Sequence, residues 1–504
     1  MRLELAATLL QDADERVRRT GAALLNEEES PESDALLIRA LADSSDSVWQ
    51  AARSSLIYRY PWLVLEPSFV RPVPESALTG SYGEAWVRLR RMIAKTLRDP
   101  ALSQDLLDRL LTIPGVVPDI IEELEEAGRG QEAADLVDRR TVPAKDPRER
   151  QIMFAPTYRC NLACSYCYAK NFADGFPPDM TLDDLAYAIS WLSAQGIGNI
   201  ILGGGEPTVY LHLPELLQMA AERSIAVHLT SNCLYSAAVR KLVAGPPICE
   251  LVAHYEQEQL GRSDSAVNLF AENLGAAREA GLSVMIRYTI TDRSGPAEWR
   301  VMMDLARRLS IEQINYALAF QGSEGVNAHF RYQETISTEG GRLDALLAQF
   351  CADAATWGLR LHLSKPFPLC ALKIESLRGM LKGETLRSAC AVHRDGFTRN
   401  VTINPDLSTF PCNGIAIHGP KISELTSIDE AGRHYAATIR NLMTRPYNDA
   451  CRDCALWYRG FCQGACLAEH YWMSRHEENH RDKHEQFERT ATVTISGSSG
   501  GIVH

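Results

Sequence analysis

Three cysteines lie close together near the start of the middle third of this 504-residue chain, in the sequence CNLACSYCY. Cys160, Cys164 and Cys167 have the spacing C-x3-C-x2-C, so that one short loop can carry three thiolates to one centre. Iron–sulfur clusters are usually held by four thiolates. A loop with three thiolates would therefore leave one iron open to a small molecule. Zinc is the alternative for such a loop when it is taken alone.

A glycine-rich loop, GGGEP at Gly203–Pro207, follows the cysteine loop along the chain. Together the two loops resemble those of radical S-adenosylmethionine (radical SAM) enzymes. The resemblance implies a [4Fe-4S] cluster on the three cysteines and S-adenosylmethionine on the iron that lacks a thiolate. Reductive cleavage of that cofactor would give a 5′-deoxyadenosyl radical. Zinc becomes a minor alternative when both loops are considered.

The resemblance also implies which residues contact S-adenosylmethionine. Tyr166 matches an aromatic position beside the adenine, and Arg287 matches an arginine that pairs with the methionine carboxylate. An interstrand salt bridge is the alternative for Arg287. The glycines would let the backbone approach the methionine, and Glu206 would accept a hydrogen bond from its ammonium group. The predicted set is Tyr166, Gly204, Gly205, Glu206, Pro207, Ser231, Asn232 and Arg287.

Three residues near predicted strand ends are candidates for contact with the substrate. Close relatives usually have Ser-Leu-Asp-Gly at the fourth strand, where this chain has Ala253–Glu256. Tyr255 or Glu256 could act there as an acid, a base or a radical relay, although a polar residue at a strand end is more often structural. Cys233 could donate a hydrogen atom, as in some radical epimerases, or be a packed thiol.

Seven cysteines in the C-terminal third predict further metal sites. Their order, ending in C-x2-C-x7-C-x3-C, resembles the SPASM extension, which carries auxiliary iron–sulfur clusters in peptide-modifying radical SAM enzymes. Two clusters with four thiolates each need eight cysteines, and the last cysteine of the family is absent here. Two clusters with one incompletely ligated, a single auxiliary cluster and a zinc knuckle on Cys451–Cys466 all stay open. The seven are Cys370, Cys390, Cys412, Cys451, Cys454, Cys462 and Cys466.

The order of ligands in the family divides these cysteines into two sets. The auxiliary cluster nearer the radical site would use Cys390, Cys412 and Cys466, with Cys370 as a further candidate. The farther cluster would use Cys451, Cys454 and Cys462. An adjacent cluster can accept an electron from a substrate radical, which makes the overall reaction an oxidation, or it can bind the substrate directly.

Residues 150–363 alternate short apolar runs with amphipathic stretches, which indicates consecutive βα units. Six such units predict a parallel, partial (β/α)6 TIM-like barrel, the fold that the resemblance also implies. Functional groups are then expected on the loops at the carboxyl ends of the strands, where the cysteine and GGGEP loops fall. The predicted strands are Gln151–Ala155, Asn199–Leu202, Ala226–Thr230, Glu250–His254, Ser283–Thr289 and Gln313–Ala319.

The chain is expected to form three domains and a tail. Leu10–Val17 aligns with Leu41–Val48 at a period of 31 residues, which predicts two HEAT-like helical hairpins near the N-terminus. A generic all-α domain is the alternative. The predicted divisions are a helical domain at 1–145, the radical SAM barrel at 146–364, a SPASM-like domain at 365–480 and a tail at 481–504.

Composition limits the kinds of partner. A net charge of −12 without a long basic run argues against a surface that wraps nucleic acid, although a local basic groove stays possible. No run approaches ~20 apolar residues, so we expect no membrane-spanning segment. The acidic first residues do not look like an export signal, and 13 cysteines without one predict a reducing, cytoplasmic setting.

The sequence therefore predicts a radical SAM enzyme that abstracts a hydrogen atom from a ribosomally made peptide and then oxidises or cross-links that site. Its expected partners are the precursor peptide and a flavodoxin- or ferredoxin-type reductant. One alternative is a radical dehydrogenase of a small alcohol, sugar or protein side chain, as in sulfatase maturases. The other is a non-catalytic iron–sulfur scaffold for electron transfer. The intact GGGEP loop and Arg287 favour an enzyme, because an electron carrier has no use for a methionine pocket.

Overall fold

A computed structural model gives the fold of most of the chain. Cys390 and the tail at 481–504 lie outside the residues it describes, so the predictions for them stay predictions. The described residues are 2–28, 30–64, 73–79, 81–98, 104–134, 151–171, 173–260, 263–291, 293–319, 342–382, 401–447 and 449–472.

The N-terminal part of the chain is helical. Helix α2 begins at Glu15 and α4 at Asp46, which matches the predicted period of 31 residues. Arg18 Nε pairs with Asp43 at 2.8 Å and so joins the two repeated segments. The HEAT-like assignment itself stays a prediction. The helices are α1 (Arg2–Leu9), α2 (Glu15–Leu24), α3 (Pro31–Leu41), α4 (Asp46–Arg59), α5 (Ser81–Leu97), α6 (Gln104–Leu111) and α7 (Val117–Glu126).

The middle of the chain forms a mostly parallel sheet, as predicted. Its strands are β1 (Gln151–Thr157), β2 (Asn199–Gly204), β3 (Ala226–Ser231), β4 (Ile248–Tyr255), β5 (Ser283–Ile290), β6 (Gln313–Leu318), β7 (Arg360–Leu363), β8 (Thr402–Ile403) and β9 (Thr409–Phe410). Within the described residues their order is β7-β6-β5-β4-β3-β2-β1-β8-β9, and β9 alone is antiparallel to its neighbour.

The six predicted strands are present, with bounds shifted by a few residues, and the structure adds strands at both edges. β7 pairs with β6, and the two-residue strand β8 pairs with β1. Both additions are short, and β8 comes from the cysteine-rich C-terminal third, so neither produced a recognisable alternation in the sequence. The C-terminal third thus contributes directly to the sheet that carries the cysteine loop.

Helices connect the strands from β1 to β8, and two more helices follow β9. They are α8 (Leu182–Ala194), α9 (Leu213–Glu222), α10 (Ala237–Val243), α11 (Gln257–Leu260), α12 (Asp264–Glu279), α13 (Pro296–Arg308), α14 (Arg342–Thr356), α15 (Ile374–Lys382), α16 (Ile428–Thr444) and α17 (Ala455–Tyr458). Three amphipathic stretches of the sequence that predict helices, Leu182–Ala194, Ala266–Ala280 and Trp299–Leu309, correspond to α8, α12 and α13.

The two faces of the sheet differ in polarity. Successive side chains of a strand alternate between faces, and residues paired in register share one. His254 pairs with Arg287, and Arg287 pairs with Asn315, which places these three side chains on one polar face. The other face is apolar and packs on the helices: Tyr255 contacts Phe270 of α12 at 5.5 Å between ring centroids.

Side chains of the C-terminal half hold the N-terminal helices. Arg459 is 3% exposed and places Nη2 2.6 Å from Asp119 of α7, which is fully buried. Its guanidinium also lies 5.0 Å from the ring of Trp86 in α5. Buried apolar residues of the N-terminal helices and of the sheet form one continuous core.

Candidate active site

The loop that leaves β1 carries Cys160, Cys164 and Cys167. Burial raises the pKa of Cys160 to about 11 and also raises that of Cys164, and the neighbouring thiols add to both shifts because the three lie close together. The backbone N–H of Leu162 donates to Cys160 Sγ at 3.4 Å. Thiols bind metal as thiolates, so the positive charge of bound iron would be needed to ionise this crowded group. The donor set therefore fits an iron–sulfur cluster.

The glycines of the GGGEP loop allow this loop to pack on the cysteine loop. The N–H of Gly205 donates to Thr157 O at 2.9 Å, and a Cβ on Gly205 would lie 2.2 Å from Arg159 O. Gly204 has a φ of +105°, a conformation that favours glycine. The glycines were predicted to admit the methionine. What the structure shows is close contact between the backbones of the two loops.

Glu206 organises the end of β3. It is 2% exposed, and its Oε1 accepts from Ser231 Oγ at 2.8 Å, while its Oε2 accepts from the N–H of Asn232 at 2.8 Å. Thr208, which follows the buried Pro207, donates from its Oγ1 to the same Oε1 at 2.6 Å. Burial raises the pKa of Glu206, and these hydrogen bonds oppose the shift. The carboxylate predicted to meet the methionine ammonium is thus already engaged by protein donors, with its Oε2 the less occupied atom.

The amide of Asn232 links the same strand end to the cysteine loop. Its Nδ2 donates to Asn161 Oδ1 at 2.6 Å, and Asn161 is the neighbour of Cys160. Asn161 was not predicted as a site residue. In the sequence, only its position between two of the predicted cysteine ligands could have indicated a role at the site.

The end of β4 also holds the cysteine loop. The hydroxyl of Tyr166 donates to the carboxylate of Glu256, which is 3% exposed. His254 Nδ1 lies 3.1 Å from Glu256 Oε1. Glu258, which sequence reasoning missed, accepts from the N–H of Ser165 at 3.0 Å. The unusual sequence at this strand end therefore positions the aromatic residue next to the last cysteine.

Arg287 presents an unpaired donor on the polar face. Its Nε is buried and has no hydrogen-bond partner within the described residues. Burial lowers the pKa of the guanidinium. A buried N–H without an acceptor is costly, so this atom indicates a ligand with an acceptor group. The carboxylate of S-adenosylmethionine satisfies that requirement, and the residues present fit the cofactor.

Lys365, at the end of β7, lies between this face and the C-terminal cysteines. Burial lowers its pKa, Cys466 and Cys412 raise it, and Arg287 lowers it further. It was not predicted as a site residue, because β7 is too short to be recognised and so gave no strand end to inspect.

Two of the predicted catalytic residues lie away from the polar face. Tyr255 is 3% exposed and packs on the helix-covered side, against Phe270. Cys233 is fully buried, with a φ of +58°, and burial raises its pKa well above the usual range. Tyr255 thus lies on the face of the sheet opposite His254 and Arg287, and the catalytic roles of Tyr255 and Cys233 stay predictions. Glu256 is the candidate that lies at the site.

The described C-terminal cysteines fall into two groups. Four of them line a cavity of about 70 Å³: Cys370, Cys451, Cys454 and Cys462. Cys412 and Cys466 form the other group. Burial raises the pKa of Cys412 to about 11, and the charge of Cys466 contributes to this shift. Cys370 thus lies with the set expected to be farther from the radical site. The order of ligands in the family had suggested the nearer set.

In the part of the chain that the structure describes, no group of three or more His, Cys, Asp or Glu side chains is arranged to hold a single metal ion, and this is true of both the cysteine loop and the C-terminal groups. Among the same residues, no helix combines the length and apolar character needed to cross a bilayer.

Comparison with known families gives a match at the site. Residues 154–254 match the model of the Radical SAM superfamily. Fe-coproporphyrin III synthase of Methanosarcina barkeri is 25% identical over 193 residues, which are 36% of this chain and 48% of that protein. PqqA peptide cyclase of Bradyrhizobium diazoefficiens is 26% identical over 22% of this chain and 30% of its own length. The chain thus matches less than half the length of these relatives.

Another curated relative and one solved structure complete the comparison. The sporulation killing factor maturation protein SkfB of Bacillus subtilis is 32% identical over 16% of this chain and 19% of its own length. The crystal structure of Streptococcus suis SuiB bound to precursor peptide SuiA is 16% identical over 69% of this chain and 77% of that chain, with a TM-score of 0.47.

The family match spans the strand that precedes the cysteine loop, both loops and most of β4, the segments whose side chains converge at one edge of the sheet. The family implies a [4Fe-4S] cluster and S-adenosylmethionine as cofactors. The chain carries a radical SAM domain.

Proposed function

We propose that this chain is an enzyme that generates a 5′-deoxyadenosyl radical and uses it to modify a ribosomally made peptide. The observation that carries the proposal is the Nε of Arg287, which has no hydrogen-bond partner among the described residues and lies on the polar face of the sheet that carries the three-cysteine loop. Cys160, Cys164 and Cys167 would hold the [4Fe-4S] cluster, and Arg287 would bind the methionine carboxylate. The bound cluster and cofactor would supply the radical by reductive cleavage of the sulfonium.

The residues around this site would position the cofactor. Glu206 fixes Ser231 and Asn232 by hydrogen bonds, which supports the predicted polar contacts of that pair with the cofactor. The hydrogen bond from Tyr166 to Glu256 orients the aromatic ring predicted to lie beside the adenine. Glu256 and His254 form a polar pair on the substrate side, and we propose Glu256 as the group that accepts or returns a proton there.

We further propose that residues 365–480 form a SPASM-like domain with auxiliary iron–sulfur clusters. Backbone N–H groups donate to several of these sulfurs, for example Gly414 to Cys412 at 3.4 Å and Gly464 to Cys462 at 3.3 Å. Hydrogen bonds to sulfur are among the features that tune iron–sulfur clusters. Such clusters would accept an electron from the substrate radical. A flavodoxin- or ferredoxin-type protein would supply the electron that starts the reaction.

A peptide substrate is supported by relatives and by the C-terminal cysteine pattern. By their names, one relative is a peptide cyclase and another is a maturation protein of the sporulation killing factor. Other relatives are named for the synthesis of haem or for the cyclisation of GTP, so the shared domain alone does not determine the substrate. The cysteines of the C-terminal third, which resemble the SPASM extension, are the reason to favour a peptide.

The first test is cleavage of S-adenosylmethionine. Protein reconstituted with iron and sulfide under anaerobic conditions and reduced with dithionite should form 5′-deoxyadenosine, measured by liquid chromatography and mass spectrometry. Cys164→Ala should abolish the product, because one of three ligands is lost. The matched control is Cys351→Ala, a thiol in α14 that lies outside the site. Product formation by Cys164→Ala at the control rate would refute the cluster assignment.

A further inference from the structure

Cys370 follows the edge strand β7 and lies at the surface beside a second group of thiols. It is solvent-exposed, yet its side chain lines the cavity of about 70 Å³ with Cys451, Cys454 and Cys462. Side chains that line one cavity of this size lie within a short distance of one another.

The backbone around Cys370 also contacts this group. Pro368 and Leu369, the two residues before Cys370, line the same cavity as the thiol of Cys462. The N–H of Gly464 donates to the same sulfur at 3.3 Å. Sulfurs that accept backbone hydrogen bonds are already oriented as cluster ligands are.

Cys351 offers a comparison with a thiol that is simply packed. Burial alone raises its pKa to about 11, with no contribution from another thiol or from a backbone donor. Cys370 differs from this packed thiol because it lines one cavity together with three other cysteines.

We propose that Cys370 is the fourth thiolate ligand of an iron–sulfur cluster held by Cys451, Cys454 and Cys462. This inference rests on the proposal that the C-terminal cysteines bind auxiliary clusters. It departs from the order of ligands in the family in one respect. No cysteine follows Cys466 in this sequence, and Cys370, near the start of the domain on the loop after β7, supplies the ligand in place of the family's last cysteine.

The assignment also divides the seven C-terminal cysteines into four and three. With four thiolates the outer cluster is closed, which suits electron transfer. The other site is left with Cys412, Cys466 and Cys390, the last of which lies outside the described residues. Three thiolates there would leave one iron open to another ligand.

The test counts iron in a protein from which the radical SAM cluster has been removed. The starting variant combines Cys160→Ala, Cys164→Ala and Cys167→Ala, so that all remaining iron belongs to the C-terminal sites. Cys370→Ala, Cys454→Ala and Cys351→Ala are then added one at a time. The measurements are iron, zinc and sulfide per chain, together with the electron paramagnetic resonance spectrum of the reduced protein.

Cys370→Ala should lose as much iron as Cys454→Ala, between one and about four irons per chain. The spectra of the two variants should change in the same way. Cys351→Ala should retain all of the iron. Iron loss in Cys454→Ala with Cys370→Ala unchanged would overturn the assignment of Cys370 and leave the auxiliary clusters in place. A starting variant with no iron, or with zinc instead, would overturn both. Circular dichroism of each variant identifies losses that come from unfolding, and Cys370→Ser, which keeps a weaker oxygen ligand, should retain more iron than Cys370→Ala.

Discussion

Replacement of Arg287 by methionine should weaken binding of S-adenosylmethionine without destabilising the fold. The guanidinium Nε is buried and no described residue accepts a hydrogen bond from it, so among these residues no hydrogen bond from this atom is lost when the side chain becomes apolar. An unsatisfied buried donor is itself unfavourable. We therefore expect the midpoint of thermal unfolding to stay the same or to rise.

The loss on the cofactor side follows from one charged hydrogen bond. Hydrogen bonds to charged groups contribute about 1.5–3 kcal/mol. Since each 1.4 kcal/mol is a factor of ten, the Kd for S-adenosylmethionine should rise roughly 10- to 150-fold. Equilibrium dialysis of the reconstituted protein under anaerobic conditions measures this change directly.

A matched control separates this effect from the loss of any arginine. Arg300 of α13 is half exposed and pairs with Asp353 at 2.8 Å, on the outer side of the molecule. Arg300→Met should leave the Kd unchanged. If Arg287→Met lowers the unfolding midpoint and leaves the Kd within threefold of the original, Arg287 forms an interstrand salt bridge instead and the reasoning is wrong.

The remaining predictions concern stability. Arg459→Ala should destabilise the protein by about 3–5 kcal/mol, because it leaves the buried carboxylate of Asp119 without its partner. Urea unfolding followed by tryptophan fluorescence measures the loss of unfolding free energy. Adding Asp119→Asn to Arg459→Ala should recover most of this free energy. A loss below about 1 kcal/mol would contradict the structure. His254 should make the protein sensitive to acid. Burial lowers the pKa of His254 from the usual 6.5, so the folded state binds this proton less readily than the unfolded state. The stability of the fold should therefore decrease as the pH drops below 6.5. The decrease in thermal midpoint between pH 7.5 and 5.5 should be smaller in His254→Gln, and equal decreases in both proteins would refute this assignment.

The sequence was sufficient where local spacing determines the structure. The cysteine loop, the GGGEP loop and six strands depend on neighbouring residues, and each is found in its predicted place. The face on which a side chain lies depends on strand register, which is why Tyr255 was grouped with Glu256 although the two point to opposite sides of the sheet. The register between β4 and β5 became known only from the structure, in which His254 pairs with Arg287.

Contacts between distant segments were beyond sequence reasoning. Cys370 lies about 80 residues before the cysteines it accompanies, and no pattern in one sequence indicates that the loop after β7 reaches them. The same holds for Glu258, whose partner Ser165 lies more than 90 residues earlier. In both cases the tertiary fold brings the groups together, and local propensity carries no information about it.

The hydrogen bonds to the cysteine loop have a consequence for cluster assembly. Asn161, Ser165 and Tyr166 are each held by a residue at the end of β3 or β4, and none of these bonds requires iron. Fixing a residue costs about 1–2 kcal/mol of conformational entropy, so ordering the eight residues from Cys160 to Cys167 costs on the order of 10 kcal/mol. Hydrogen bonds within the fold supply part of that order, so bonds to iron do not have to provide all of it.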